Sequence, residues 1–237
     1  MVHRRPVPPR TEIQAVRTRA IVRRLRPRRD GGRASGLTAT SEYPTGLAAA
    51  LSLTARRFTY ERQRPFAGSP FARFFREDVA RMGRDLAGQR PENLMVRASV
   101  GTQGWASVPW LAFFAPHVTR SMRHGLYVVI FINAHDEHIT LSLQHGAGAA
   151  LTQLGPEQGH LHLRHMAGAT RKMANKSGHD FSNDPITLGS KSALPAGYEA
   201  GCALSRTWDA ATISPSALQA DLTAMLDIYH QLTGPLP

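Results

Sequence analysis

The stretch richest in chemistry runs Ser99-Val100-Gly101-Thr102-Gln103-Gly104-Trp105-Ala106-Ser107-Val108-Pro109-Trp110. Two glycines three residues apart permit a tight turn and the close approach of a ligand backbone. The two indole rings offer flat surfaces on which a base can stack. A hairpin corner packed against a core has the same composition, so the residues alone leave both readings open. Arg97, Arg120, Arg123, Arg164, Arg171, Lys172, Lys176 and Lys191 are candidates for phosphate contact. Arg171, Lys172 and Lys176 come first among them because they border a polar loop; a solvated charged face is the plain alternative.

The histidines form a second group. His160, His162 and His165 lie together, and His135 and His138 flank Asp136-Glu137. Helical spacing sets His162 beside His165, and imidazole is a common metal ligand. No carboxylate or cysteine accompanies that trio at ligand spacing, and Arg164 sits between two of its members. The preferred reading is an exposed helix face without metal or other cofactor. The rival is a small metal-dependent nuclease or hydrolase using His135, Asp136, His160 and His162.

Several elements must position these groups. Ser69-Pro70 reads as a helix cap with proline in the first turn, followed by Phe71, Phe74, Phe75, Val79, Met82 and Leu86 at helical intervals. Leu94 to Val100 alternates as a half-buried strand, and Val108 to Phe114 is a second one. Tyr127 to Ile132 is apolar throughout, as in a strand covered on both faces. Ile139, Leu141 and Leu143 alternate again. Ala147–Leu154 and Leu161–Met173 read as two helices split by Gly155, Pro156 and Gly159, and Tyr198–Leu204 reads as a strand. Ser214-Pro215 opens a last helix with a stripe of Leu218, Leu222, Met225, Ile228 or Tyr229, and Leu232, which Gly234-Pro235 stops. The expectation is an α+β fold, a mixed or antiparallel sheet flanked by helices.

Upstream the texture differs. Residues 1–35 hold eleven arginines against Glu12 and Asp30, a net +9 out of +12 for the whole chain of 237 residues. Residues 1–36 are therefore expected to be a basic, largely disordered arm with affinity for polyanions, in which Thr11–Leu25 could form a short helix. Residues 37–68 read as a linker with a short helix around Leu47–Leu53, and 69–235 as the folded domain. Cys202 is the single cysteine, which fits a reducing, cytoplasmic setting. No apolar run is long enough for a membrane span and no secretory signal is visible. No G-x-x-x-x-G-K-[ST], G-x-S-x-G, H-E-x-x-H or C-x-x-C occurs, which speaks against a P-loop nucleotidase and several hydrolase classes.

The ordered set S-x-G-x-x-x-W-x-x-[VI]-P-W, then Gly125-Leu126-Tyr127-Val128-Val129-Ile130, then the Ile139–Leu143 strand, resembles the N-terminal domain of McrB-type restriction proteins. The ending is similar too: Tyr198, Gly201, Ser205 and Trp208, then Leu218, Asp221, Leu222, Met225, Leu226 and Tyr229 as L-x-x-D-L-x-x-M-L-x-x-Y. The likeness spans Ser69 to Leu232. It implies a non-catalytic module that binds double-stranded DNA, methylated in the family's preferred sites, and flips a modified cytosine into an aromatic pocket. By resemblance, Trp110, Tyr127, Phe131 and Tyr198 are the pocket positions. Thr102 or Gln103 stands where better-known members insert an aromatic into the space left by the flipped base, which puts 5-methylcytosine specificity in doubt. A motor or nuclease partner acting in trans completes the expectation for such a defence system. A protein-interaction remnant of the same fold is the other alternative.

Overall fold

The computed structural model describes residues 42–175, 178 and 180–234; the Arg-rich arm and Lys176 lie outside them. Helix α1 (Leu47–Glu61) is followed by α2 (Pro70–Phe74), a π-helical turn (Phe75–Val79) and α3 (Ala80–Ala87). Ser69 caps α2 by accepting a hydrogen bond from the Ala72 amide at 3.2 Å, with Pro70 in the first turn where no N–H is needed. Strands β1 (Met95–Ser99), β2 (Trp110–Phe114), β3 (Leu126–Asn133) and β4 (His138–His145) come next. Then follow α4 (Ala147–Ala174), α5 (Ala193–Ala200), β5 (Cys202–Asp209) and α6 (Pro215–Thr233). Ser214 caps α6 through the Ala217 amide at 3.1 Å.

The five strands form one antiparallel sheet in chain order, so the α+β expectation holds. Alternation sends Leu111, Phe113, Val128, Ile130, Ile132, Ile139, Leu141 and Leu143 to a first face. There they pack against Leu51, Ala55 and Phe58 of α1, Phe71, Phe75, Val79 and Met82, and Leu218, Leu222, Met225 and Tyr229 of α6. Each such side chain is worth about 1.5–3 kcal/mol when fully buried, so this face is the main store of stability. The Tyr229 hydroxyl donates to Leu126 O at 3.0 Å and accepts from the Ala115 amide at 3.1 Å. It thereby ties the end of β2 to the start of β3, which gives the last tyrosine of the α6 motif a structural duty.

Three expectations need correction. The segment read as a linker carries α1, which runs to Glu61, and its Leu51, Ala55 and Phe58 are core residues. The presumed pair of helices before residue 174 breaks at Gly155 alone, whose φ of 74° and ψ of 169° lie outside the helical region. Pro156 then opens the second segment, and Gly159 lies within it. Tyr198–Ala200 belongs to helix α5 and not to a strand, because Pro195 suits a first turn and the chain leaves the helix only at Gly201. Among the described residues, no helix is long and apolar enough to cross a membrane.

Candidate nucleic-acid interface

The second face of the sheet is built differently. β2 and β3 send it Trp110, Ala112, Phe114, Tyr127, Val129 and Phe131, whereas β4 sends Thr140, Ser142 and Gln144. Polar groups on a covered face must be hydrogen-bonded. Thr140 Oγ1 lies 3.0 Å from Thr207 Oγ1, and Ser142 donates to Gln144 Oε1 at 3.0 Å. Gln144 Nε2 in turn donates to the carbonyls of His145 and Tyr198, both at 2.9 Å. The Gln144 amide therefore fixes the backbone of Tyr198 over the sheet.

The four positions implied by the McrB resemblance fall in one packed group. Trp110 is the cross-strand neighbour of Phe131, and the Phe131 and Tyr198 ring centroids are 5.2 Å apart. Tyr127 packs against Phe114 at 5.2 Å and directs its hydroxyl to Met122 O at 3.4 Å. Their access to solvent differs: Tyr127 and Phe131 are wholly buried, Tyr198 nearly so, and Trp110 half-buried. Burial pushes the Tyr198 phenol up to about 12 and that of Tyr127 well above its usual 10, so both stay neutral donors. Among the described residues, these four rings line neither the cavity between α4 and α5, nor the groove on α4, nor the cleft beside His135 and Asp136. Tyr127 and Phe131 form a floor, and Tyr198 and Trp110 occupy its upper edge.

The floor is roofed by α4, α5 and a strap of residues 181–192. Ile186 and Leu188 of the strap are buried against the ring group. Polar ties to the strap include Asn133 Nδ2 to Thr187 O at 3.1 Å, the Leu188 amide to Glu199 Oε1 at 2.7 Å, and a bridge between Ser182 and Ser205.

Over β1 the roof stops. Val96 and Ala98 face the first core, so Met95, Arg97 and Ser99 project from the second face beside Trp110. At one end of this strip stands the hairpin, with Thr102, Gln103 and Gly104 exposed. Gly101 makes it possible: its φ is 125°, and a Cβ there would collide with the Gly104 carbonyl. Trp105 does not join the strip. Its Nε1 donates to Arg64 O at 2.8 Å and its ring meets Phe58 and Phe66 edge-on, so it staples the hairpin to α1 and its following turn. At the other end stand the exposed Arg120, Arg123 and His124, with Arg97 Nη1 reaching Arg120 O at 3.5 Å.

Charge separates the two sides. Helices α1, α2, α3 and α6, with the π turn, carry six arginines and six carboxylates. Residues 115–125 with α4 and α5 carry five basic residues and two carboxylates. Among the described residues, Arg97, Arg120, Arg123, Arg164, Arg171 and Lys172 have no ion-pair partner; on the other side Arg57, Arg81, Arg90 and Arg206 each have at least one, while Arg56, Arg73, Arg76 and Arg84 have none. Of the expected phosphate contacts, Arg97 lies on the strip. Arg171 and Lys172 lie at the far end of α4, so the structure does not bring them together with Arg97.

The histidine–aspartate constellation does not assemble. His135 and Asp136 sit in the β3–β4 turn, where Asn133 Oδ1 accepts from both amides. His160 lines a cavity between α4 and α5, whereas His162 and His165 border a separate groove on α4. Among the described residues, no group of three or more His, Cys, Asp or Glu is placed to hold a metal ion. Glu199, which carries no motif in the sequence, lines two cavities and latches the strap. Reading α5 as a helix would have placed it beside Tyr198.

No curated protein matches the chain. The family model described as the MrcB-like N-terminal domain matches residues 54–234, from within α1 to the end of α6. The chain belongs to the MrcB-like N-terminal domain family.

Proposed function

We propose that this domain binds duplex DNA along the open strip of the second face and reads a modified cytosine extruded from the helix. The observation that carries the reading is a coincidence on one face: the four family-implied aromatic positions form one group, and the cations at its open edge lack carboxylate partners. Unpaired arginines are available to phosphates, and an indole beside them is available to a base.

In this reading, Arg97, Arg120 and Arg123 hold the backbone while Thr102 and Gln103 at the hairpin tip enter the gap in the duplex. Neither side chain stacks as an aromatic would, so hydrogen bonding to the orphaned guanine does the work. The extruded base stacks on Trp110 and displaces Tyr198 and the strap from the Tyr127–Phe131 floor. Extrusion costs a few kcal/mol, and stacking returns about 1–3 kcal/mol per base. The module itself is non-catalytic; a motor and a nuclease acting in trans would complete a modification-dependent restriction system in the cytoplasm.

The test is a titration of the full chain against matched duplexes carrying cytosine, 5-methylcytosine or 5-hydroxymethylcytosine at one site. The expected outcome is tighter binding to one modified duplex, with discrimination lost in Trp110→Ala. Equal affinity for all three would remove the base-reading claim and leave general DNA binding. No binding to any would leave a protein-interaction module.

A further inference from the structure

Between α4, α5 and the strap lies a cavity of about 510 Å³, within the range of about 300–1,000 Å³ usual for small-molecule sites. It sits on the β5 side of Tyr198, away from Trp110. Its apolar floor is Ala167, Ile186, Ala200 and Cys202. Burial pushes the Cys202 thiol up to about 11, so that floor is uncharged. Arg164, Arg171 and His160 enter from α4, and Glu199 from α5.

Two carboxylates balance the two arginines of this cavity in number, but none is ion-paired with them. Neither Arg164 nor Arg171 has a carboxylate at ion-pair distance among the described residues, although Asp184 and Glu199 share the cavity. Arg171 is oriented by backbone: Nε donates to Ala203 O at 3.0 Å and Nη2 to Cys202 O at 3.4 Å. A guanidinium fixed in this way has its ordering cost met by the fold and keeps Nη1 for a ligand. The exposed Arg164 side chain makes no hydrogen bond among the described residues and can move to share an anion with it. Glu199 spends Oε1 on the Leu188 amide, leaving Oε2 as an acceptor. A pair of arginines, an apolar floor and a carboxylate acceptor are the needs of a nucleotide: phosphate on arginine, ring on the floor, and an exocyclic amino group on a carboxylate.

We propose that this cavity is a nucleotide site separate from the ring group, taking one nucleoside monophosphate unit with its phosphate on Arg164 and Arg171 and an amino-bearing base against Glu199. The unit comes either from a nucleic-acid strand or from a free nucleotide. The site does not depend on the duplex reading above.

Alanines in the walls provide the test. The full chain labelled with ¹³C at alanine methyls is titrated separately with dCMP, dTMP, deoxycytidine, inorganic phosphate and a short oligodeoxycytidylate. Saturable shifts of the Ala167, Ala196 and Ala200 methyls are expected with dCMP or the oligonucleotide, and whichever binds more tightly identifies the source. dTMP, which presents a carbonyl where cytosine has its amino group, should bind about tenfold more weakly. Arg164→Ala should weaken dCMP or oligonucleotide binding about tenfold with an unchanged melting temperature, since it removes a charge-assisted bond to phosphate and no internal contact. Glu199→Gln retains an acceptor for the Leu188 amide and should erase the preference for dCMP over dTMP. Unmoved methyls with both dCMP and the oligonucleotide, or equal binding of inorganic phosphate and dCMP, would overturn the proposal.

Discussion

The two faces of the sheet use one backbone for opposite purposes. The first is packed with side chains that alternate without exception on β2, β3 and β4, and around it Arg57, Arg81, Arg90 and Arg206 are ion-paired, whereas Arg56, Arg73, Arg76 and Arg84 have no carboxylate at ion-pair distance among the described residues. The second mixes rings with a hydrogen-bonded polar row, holds a cavity and leaves its arginines unpaired. Groups left without internal partners on the second face are those a ligand can use. The contrast teaches where to look: stability should be lost by damage to the first face, and binding by damage to the second.

The largest effect expected from breaking this division is on the first face. Phe113→Ala removes a fully buried ring and should cost about 3–5 kcal/mol of stability in chemical denaturation. Where the variant remains folded, its DNA affinity should be unchanged. Next is the buried His145, whose Nε2 meets Thr170 Oγ1 at 2.8 Å and ties the sheet to α4. Burial, with a smaller push from His162, lowers it from 6.5 to about 4. The unfolded chain therefore takes up a proton between pH 6.5 and 4 that the folded chain resists, so stability is full above 6.5 and falls across that window. The loss should approach about 3 kcal/mol, and His145→Gln should flatten that part of the profile.

Smaller effects sharpen the second face. Trp110→Ala should reduce discrimination between modified and plain duplex by about 1–3 kcal/mol in fluorescence anisotropy, with little change in melting temperature. An equal loss on both duplexes would point to folding instead. Arg97→Ala should weaken binding to all duplexes alike and lower the slope of log affinity against log salt by about 1.

Legibility followed the same division. The strands, the Ser69-Pro70 and Ser214-Pro215 caps and the α6 stripe could be read directly, because one-sided burial writes itself as period. Helix α1 is only partly visible in the sequence: Arg56, Arg57 and Thr59 interrupt its apolar stripe just where Ala55 and Phe58 complete the core. Helix α5 is hidden because Tyr198 to Leu204 is a short apolar run, which fits strand or helix until Pro195 and Gly201 are weighed. On the site, the grouping of Trp110, Tyr127, Phe131 and Tyr198 followed from resemblance, but their unequal burial did not. In an unbroken run such as Leu126–Ile132, no polar residue marks which face is roofed. The Glu199 cavity had no local signature, since it is made by the α4–α5 packing and the path of the strap.

The most direct test of the central claim is a map of amide signals in the full chain as a plain duplex is added at low salt. Perturbations are expected at Arg97–Ser99, Thr102–Gly104, Trp110 and Arg120–His124, with α3 and α6 unmoved. Perturbations concentrated on α3 and α6, or none within the domain while the duplex is bound, would contradict it.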